Sequence, residues 1–118
     1  MMKRYDLAAD FSDAPFGRYL DDGRNSGERF REKFLYPWLK DALDRNELVE
    51  IDLDHVPLGI GSSFLEESFG GLVRKGLISK QDVLKVLRIK SDEDSSYITE
   101  IMEYIQDAKP EEQPVNHA

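Results

Sequence analysis

The chain has 118 residues, 24 acidic and 16 basic, giving a formal net charge of -8, and it contains no cysteine. That length suits one domain around one hydrophobic core, the missing cysteines exclude disulfide staples, thiolate metal sites and thiol nucleophiles, and the acidic balance argues against nucleic acid or an anionic membrane as a general partner. No apolar run approaches the roughly 20 residues that span a bilayer, and the start, Met1-Met2-Lys3-Arg4-Tyr5-Asp6, lacks the apolar core of a secretory signal, so a cytoplasmic location is expected.

Alternation of Tyr5, Leu7, Ala9 and Phe11 predicts a strand over residues 3 to 11. Ser12 to Pro15 reads as a turn, and Phe16 to Leu20 as a second strand completing a hairpin. Asp21 to Asn25 is rich in turn formers, and Asn25, with Glu28 three residues on, suits a helix cap. A first helix follows from about Ser26 to Arg45, with an apolar stripe of Phe30, Phe34, Leu35, Trp38, Leu39, Ala42 and Leu43. Pro37 lies inside it and predicts a kink or break near Tyr36.

Leu48 to Leu53 is mostly apolar, the pattern of a central strand buried on both faces. After the Gly59-Ile60-Gly61 turn, Ser63 is placed to cap a second helix, with Glu66 completing a capping box. Phe64, Leu65, Phe69, Leu72 and Val73 form the inner face. Gly70-Gly71 in mid-helix costs about 1 kcal/mol per glycine, and a close approach of this helix to the sheet is the expected compensation. Gly76 suits a left-handed terminator. Ser79 to Val86 predicts a short helix capped by Ser79, and Leu87 to Lys90 a last strand. Ser91 to Ser95 is an acidic loop. A final helix starts at Ser95 or Ser96, with Ile98, Ile101, Met102 and Ile105 inward. Residues 109–118 have no apolar period and read as a disordered tail. The expected architecture is α/β: one domain over residues 1–108, a small mixed sheet packed with about four helices.

Three places carry candidate chemistry. Ser62 and Ser63, behind Gly61 and ahead of Phe64, sit where a helix start would favour a phosphate or another anion; the simpler role is capping. Arg18, Arg24 and Arg29 surround the start of the first helix and could hold an anion, or tie down the loop. Asp52 and Asp54 share one face of a strand and His55 the other. Two carboxylates supply too few ligands for a cation, so no metal is assigned. Gly59-Ile60-Gly61 has neither a phosphate-loop ending nor a dinucleotide fingerprint. No catalytic constellation is legible, and neither catalytic residues nor a cofactor are assigned.

Ile51 to Val56 followed by Gly61-Ser62-Ser63-Phe64-Leu65 resembles the core of STAS domains, found in anti-sigma factor antagonists and sulfate transporter tails. Phe16-Gly17-Arg18-Tyr19, Asp22-Gly23, Ser26-Gly27-Glu28-Arg29-Phe30-Arg31, Gly61 to Glu67 and Phe69-Gly70-Gly71-Leu72 together resemble a narrower bacterial STAS-like family of unknown function, over roughly residues 4 to 108. The resemblance implies a STAS-like fold and a non-catalytic regulatory module. Such a module docks a protein partner of the histidine-kinase-like ATPase or anti-sigma type, or a second copy as a homodimer. Antagonists of this kind are phosphorylated on the first serine of an Asp-Ser-Ser or Asp-Ser-Thr turn, which corresponds to Ser62. Here Gly61 stands where that aspartate would be, and Phe64 where a glycine follows. The alternative is a small-anion sensor or minor enzyme using Arg18, Arg24, Asp52 and Asp54.

Overall fold

In the computed structural model, which describes residues 1–111, strand β1 (Met2–Asp6) pairs with β2 (Leu48–Asp52), and β2 with β3 (Leu87–Lys90), all parallel. Parallel neighbours need long crossovers, and helices supply them. Helix α1 (residues 27–45) lies between β1 and β2; α2 (residues 62–74) and α3 (Lys80–Val86) lie between β2 and β3; α4 (Ser96–Asp107) follows the last strand. With the single helical turns Leu7–Phe11 and Leu20–Asp22, these complete the helical segments among the described residues, and the α/β class expected from the sequence holds.

The sheet is parallel rather than mixed because the N-terminal hairpin does not form. The Asp6 carboxylate accepts from the amides of Ala8 and Ala9 at 2.9 and 3.3 Å, which curls the chain into the turn at Leu7. Phe16 to Arg18 then pairs with the entry to α1 instead of with β1. Phe16 N donates to Asn25 O, while Gly17 O and Arg18 O accept from Gly27 N and Glu28 N. Two of the amides left unpaired at a helix start are thereby satisfied by a loop.

Ser26, not Asn25, caps α1, its hydroxyl accepting from Arg29 N at 3.2 Å. Asn25 instead donates its side-chain amide to Ala14 O. The helix does not break at Pro37. A π turn, Arg31–Leu35, precedes it, with Tyr36 N donating to Arg31 O, and the backbone stays helical through Leu35 and Tyr36. A π turn is a known way for a helix to absorb a local irregularity. The helix ends as expected, on Asn46 at φ 55.

Strand β2 is not buried on both faces. Val49 and Ile51 enter the core, whereas Glu50 and Asp52 face the other way. There they line up with neighbouring strands in two charged rows, Arg4–Glu50–Arg88 and Asp6–Asp52–Lys90. The apolar face carries the helices. Phe30, Phe64 and Phe69 lie at its centre with Leu39, Leu65 and Ile101, all essentially inaccessible. Tyr5 stacks on Trp38 with ring centroids 3.9 Å apart, joining β1 to α1. Lys109 to Glu111, the first residues of the expected tail, run back to α2, where Glu111 N donates to Arg74 O at 2.7 Å; the rest of that tail, residues 112–118, lies outside the described residues.

Asp54 locks the exit of β2 onto the exit of β3. Its buried carboxylate accepts from Lys90 Nζ at 2.8 Å and from the amides of Glu93 and Asp92 at 2.8 and 3.2 Å. The Lys90 hydrogen bond, followed by the Glu93 amide, pulls its pKa down to about 2. A depressed carboxylate contributes stability that is complete above its unfolded value, about 4, and disappears as pH falls through the folded one. Denaturant midpoints measured from pH 6 to pH 2 (roughly the window that this linkage spans) should therefore fall less steeply for Asp54→Asn than for the parent chain. Parallel curves would contradict this role.

Candidate functional site

The start of α2 is built by its contact with α1. A β-carbon on Gly27 would lie 2.7 Å from the Phe64 carbonyl oxygen, so the two helices cross where only glycine fits. Ser68 Oγ donates to Gly27 O at the same crossing. Beneath it lies an ion pair that sequence patterning does not reveal. Arg31 and Glu67 are 1% and 2% exposed, and Arg31 Nη1 donates to both the Glu67 carboxylate, at 2.5 Å, and the Glu67 carbonyl, at 2.7 Å.

Two further arginines extend this pair toward the surface. Arg74 Nη2 and Arg18 Nη1 reach the other Glu67 oxygen at 3.1 and 3.3 Å, and both also bond Glu66. Burial pushes the Glu67 carboxyl up, but the hydrogen bond and charge of Arg31, with the charge of Arg74, outweigh it and hold Glu67 below the usual range. Burial likewise works against the Arg18 charge, and Glu66 and Glu67 overcome it. The Gly70-Gly71 pair serves this network, not the sheet. A β-carbon on Gly71 would sit 2.4 Å from Arg31 Nη1, and one on Gly70 would sit 2.7 Å from Glu66 Oε2.

Glu66 is therefore engaged sideways and completes no capping box with Ser63. Ser62 is the first residue of α2, Gly61 is the cap, and no side chain caps the amides there. Gly61, Ser62 and Ser63 are exposed, while Phe64 points into the core. Behind Ser62, the Tyr104 hydroxyl of α4 donates to Glu100 at 2.6 Å, and the phenol is pushed up by burial and by that hydrogen bond, against a lowering by Ser62. Facing the serines across a cleft of about 360 Å³ is the loop from Pro15 to Asp22. That loop is rigid. The Asp22 carboxylate accepts from the amides of Tyr19 and Arg18 at 2.9 and 3.0 Å, which lowers its pKa, and Gly17 at φ 88 packs against the Asp22 side chain. Held this way, Phe16, Tyr19 and Leu20 stay exposed, Phe16 at 70%. The sequence reading assigned these residues to a strand and missed them as a surface feature.

The three arginines take separate partners. Arg18 belongs to the glutamate network and lines the cleft. Arg29 donates to Arg24 O at 3.0 Å and lies over the rings of Phe11 and Phe34. The Arg24 side chain is exposed and does not line the cleft. Asp54 is consumed by the β2–β3 lock. Asp52 instead comes close to Asp6 and His55 at the strand ends, a grouping the sequence reading missed because Asp6 is 46 positions before Asp52 in the chain and meets it only through strand register.

A family described as a STAS-like domain of unknown function (DUF4325) matches residues 26–97. The chain belongs to this family. The matched region holds Arg31, Glu67 and Arg74 and the Ser62 turn. It begins after Arg18 and the exposed loop, so it is narrower than the span over which the sequence motifs resemble the family. No curated protein and no solved structure matches the chain. Among the described residues, no helix is long and apolar enough to cross a membrane.

Removing one partner of a buried ion pair leaves the other charge unpaired and costs about 3–5 kcal/mol. Glu67→Ala should lose that much stability in urea denaturation. Ser62→Ala and Ser63→Ala, on an exposed turn, should each stay within about 0.5 kcal/mol of the parent. Equal losses in all three would mean that the serines, not the ion pair, hold this helix start.

Proposed function

We propose that the domain is a non-catalytic regulatory module that docks a protein partner through the turn from Gly59 to Glu67 and the facing loop of Phe16, Tyr19 and Leu20. The observation that supports this reading is the exposed Phe16, carried on a loop tied down by the Asp22 carboxylate and facing an uncapped helix start across the cleft. Exposed aromatic residues held in place by the fold bind without paying much ordering entropy, and aromatic side chains concentrate binding energy at interfaces. Membership of a STAS-like family supports a partner of the histidine-kinase-like ATPase or anti-sigma type.

Phosphorylation of Ser62 would switch such a surface. A phosphate adds about -1.5 to -2 charge. It would meet the positive end of α2 and, across the cleft, Arg18, in competition with Glu66 for that guanidinium. The competing small-anion reading draws less support, since Arg18 is already engaged by two glutamates and Arg24 and Arg29 do not line the same cleft.

Affinity capture from the source cells, with the full chain as bait, should recover one stoichiometric protein. Phe16→Asp should weaken that complex by more than about tenfold, the effect of removing 1.4 kcal/mol from an interface. Ser62→Glu should also weaken it, and Ser62→Ala should not. Recovery of no stoichiometric partner, with both Ser62 variants behaving as the parent in cells, would refute the proposal.

A further inference from the structure

The charged face of the sheet holds a grouping unrelated to the Ser62 cleft. Along most of this face opposite signs lie side by side, as in the Arg4–Glu50–Arg88 row. At the carboxyl ends of β1 and β2 the rule fails, because Asp6 lies directly opposite Asp52. Like charges placed across neighbouring strands destabilise a sheet. The nearest cation, Lys90, does not cancel them. Its Nζ is 2.8 Å from Asp54, 3.0 Å from Asp92 and 3.6 Å from Asp52, so one charge serves three carboxylates.

His55 completes the group. It stands at φ 72, a backbone conformation uncommon for a residue other than glycine. One ring nitrogen of His55, one oxygen of Asp6 and one of Asp52 all lie within 4.8 Å of one another. Other demands leave Asp6 Oδ2 without a hydrogen bond among the described residues, and leave Asp52 Oδ2 facing only Lys90 Nζ, at 3.6 Å. Asp6 uses Oδ1 for the Ala8 and Ala9 amides, and Asp52 uses Oδ1 for the Asp54 amide. Asp6 and Asp52, though not His55, also line a cavity of about 500 Å³, together with Asp10, Glu50 and the cations Arg4 and Lys90.

We infer that Asp6, Asp52 and His55 form a binding site for a divalent first-row transition metal ion, open on the cavity side to water or a further ligand. One imidazole nitrogen and two carboxylate oxygens suit such an ion. Magnesium and calcium take oxygen ligands in preference. The ion would also neutralise the Asp6–Asp52 pair. Asp54, which the sequence grouped with Asp52, has no part in the site.

The test uses the full chain in a His117→Ala background, which leaves His55 as the single histidine. Calorimetric titration with Zn²⁺ or Mn²⁺, and visible absorption with Co²⁺, should show one saturating ion per chain. Asp6→Asn, which keeps a capping oxygen, and His55→Gly, which suits the positive φ, should each weaken binding by more than about tenfold, the loss that even outer partners of a metal site can cause. Far-ultraviolet circular dichroism should stay native in both. No binding at millimolar metal, binding that both substitutions leave unchanged, or equal affinity for Ca²⁺ and Mg²⁺ would each overturn the assignment. None of these outcomes bears on capture of a protein partner through the Ser62 face.

Discussion

The Arg31–Glu67 ion pair is the contact on which the arrangement of the two longest crossover helices depends. Burying a carboxylate and a guanidinium is costly, and the mutual attraction offsets that cost only when geometry and further hydrogen bonds are good. Here Glu67 receives three arginines and Arg31 also reaches the Glu67 carbonyl. The pair requires α1 and α2 to approach closely, which Gly27 permits at one point and Gly71 at another. Both helices adopt a π turn where they contribute to the pair, Arg31–Leu35 in one and Glu66–Gly70 in the other. Such turns recur at functional sites, and in this molecule they coincide with the element that fixes the orientation of the exposed helix start.

That orientation links packing to function. The helix presents Ser62 and Ser63 outward because the next two residues, Phe64 and Leu65, are anchored in the core. Arg18 then ties the Pro15 to Asp22 loop to the same glutamates. One charged network thus positions two surface segments against each other, and a charge change at Ser62 would act on the residue that joins them. The family match covers the helix half of this arrangement and begins at residue 26, after the loop that carries Phe16, Tyr19 and Leu20.

The sheet has two faces of different character. Parallel sheets are commonly covered on both, whereas this one sets its helices on the Val49–Ile51 face and turns alternating charges to the other. Charged residues on an open sheet discourage pairing with other chains. The same face gathers its surplus of carboxylates at the strand ends, where Asp54 and Lys90 use part of it for structure and Asp6, Asp52 and His55 are left as a separate group.

Residue order by itself determined the helices and two of the three strands, because apolar spacing, Ser79 as a cap and Asn46 or Gly76 as terminators are local signals that neighbouring residues suffice to satisfy. It also determined that Ser62 and Ser63 begin a helix after a glycine turn. Tertiary structure alone decided the rest. Residues 3 to 20 alternate like a hairpin, yet Asp6 curls the chain at Leu7 and the entry to α1 claims the Phe16 to Arg18 backbone. A mid-helix glycine pair looks like an accommodation to the sheet until the Arg31 guanidinium is seen to occupy the space. Asp6 joins Asp52 only through strand register, and Glu67 meets Arg31 only through a helix crossing. Long-range partners of charged groups leave no periodic trace in a sequence, since a charge that is buried and paired is written with the same letters as one that is exposed and free.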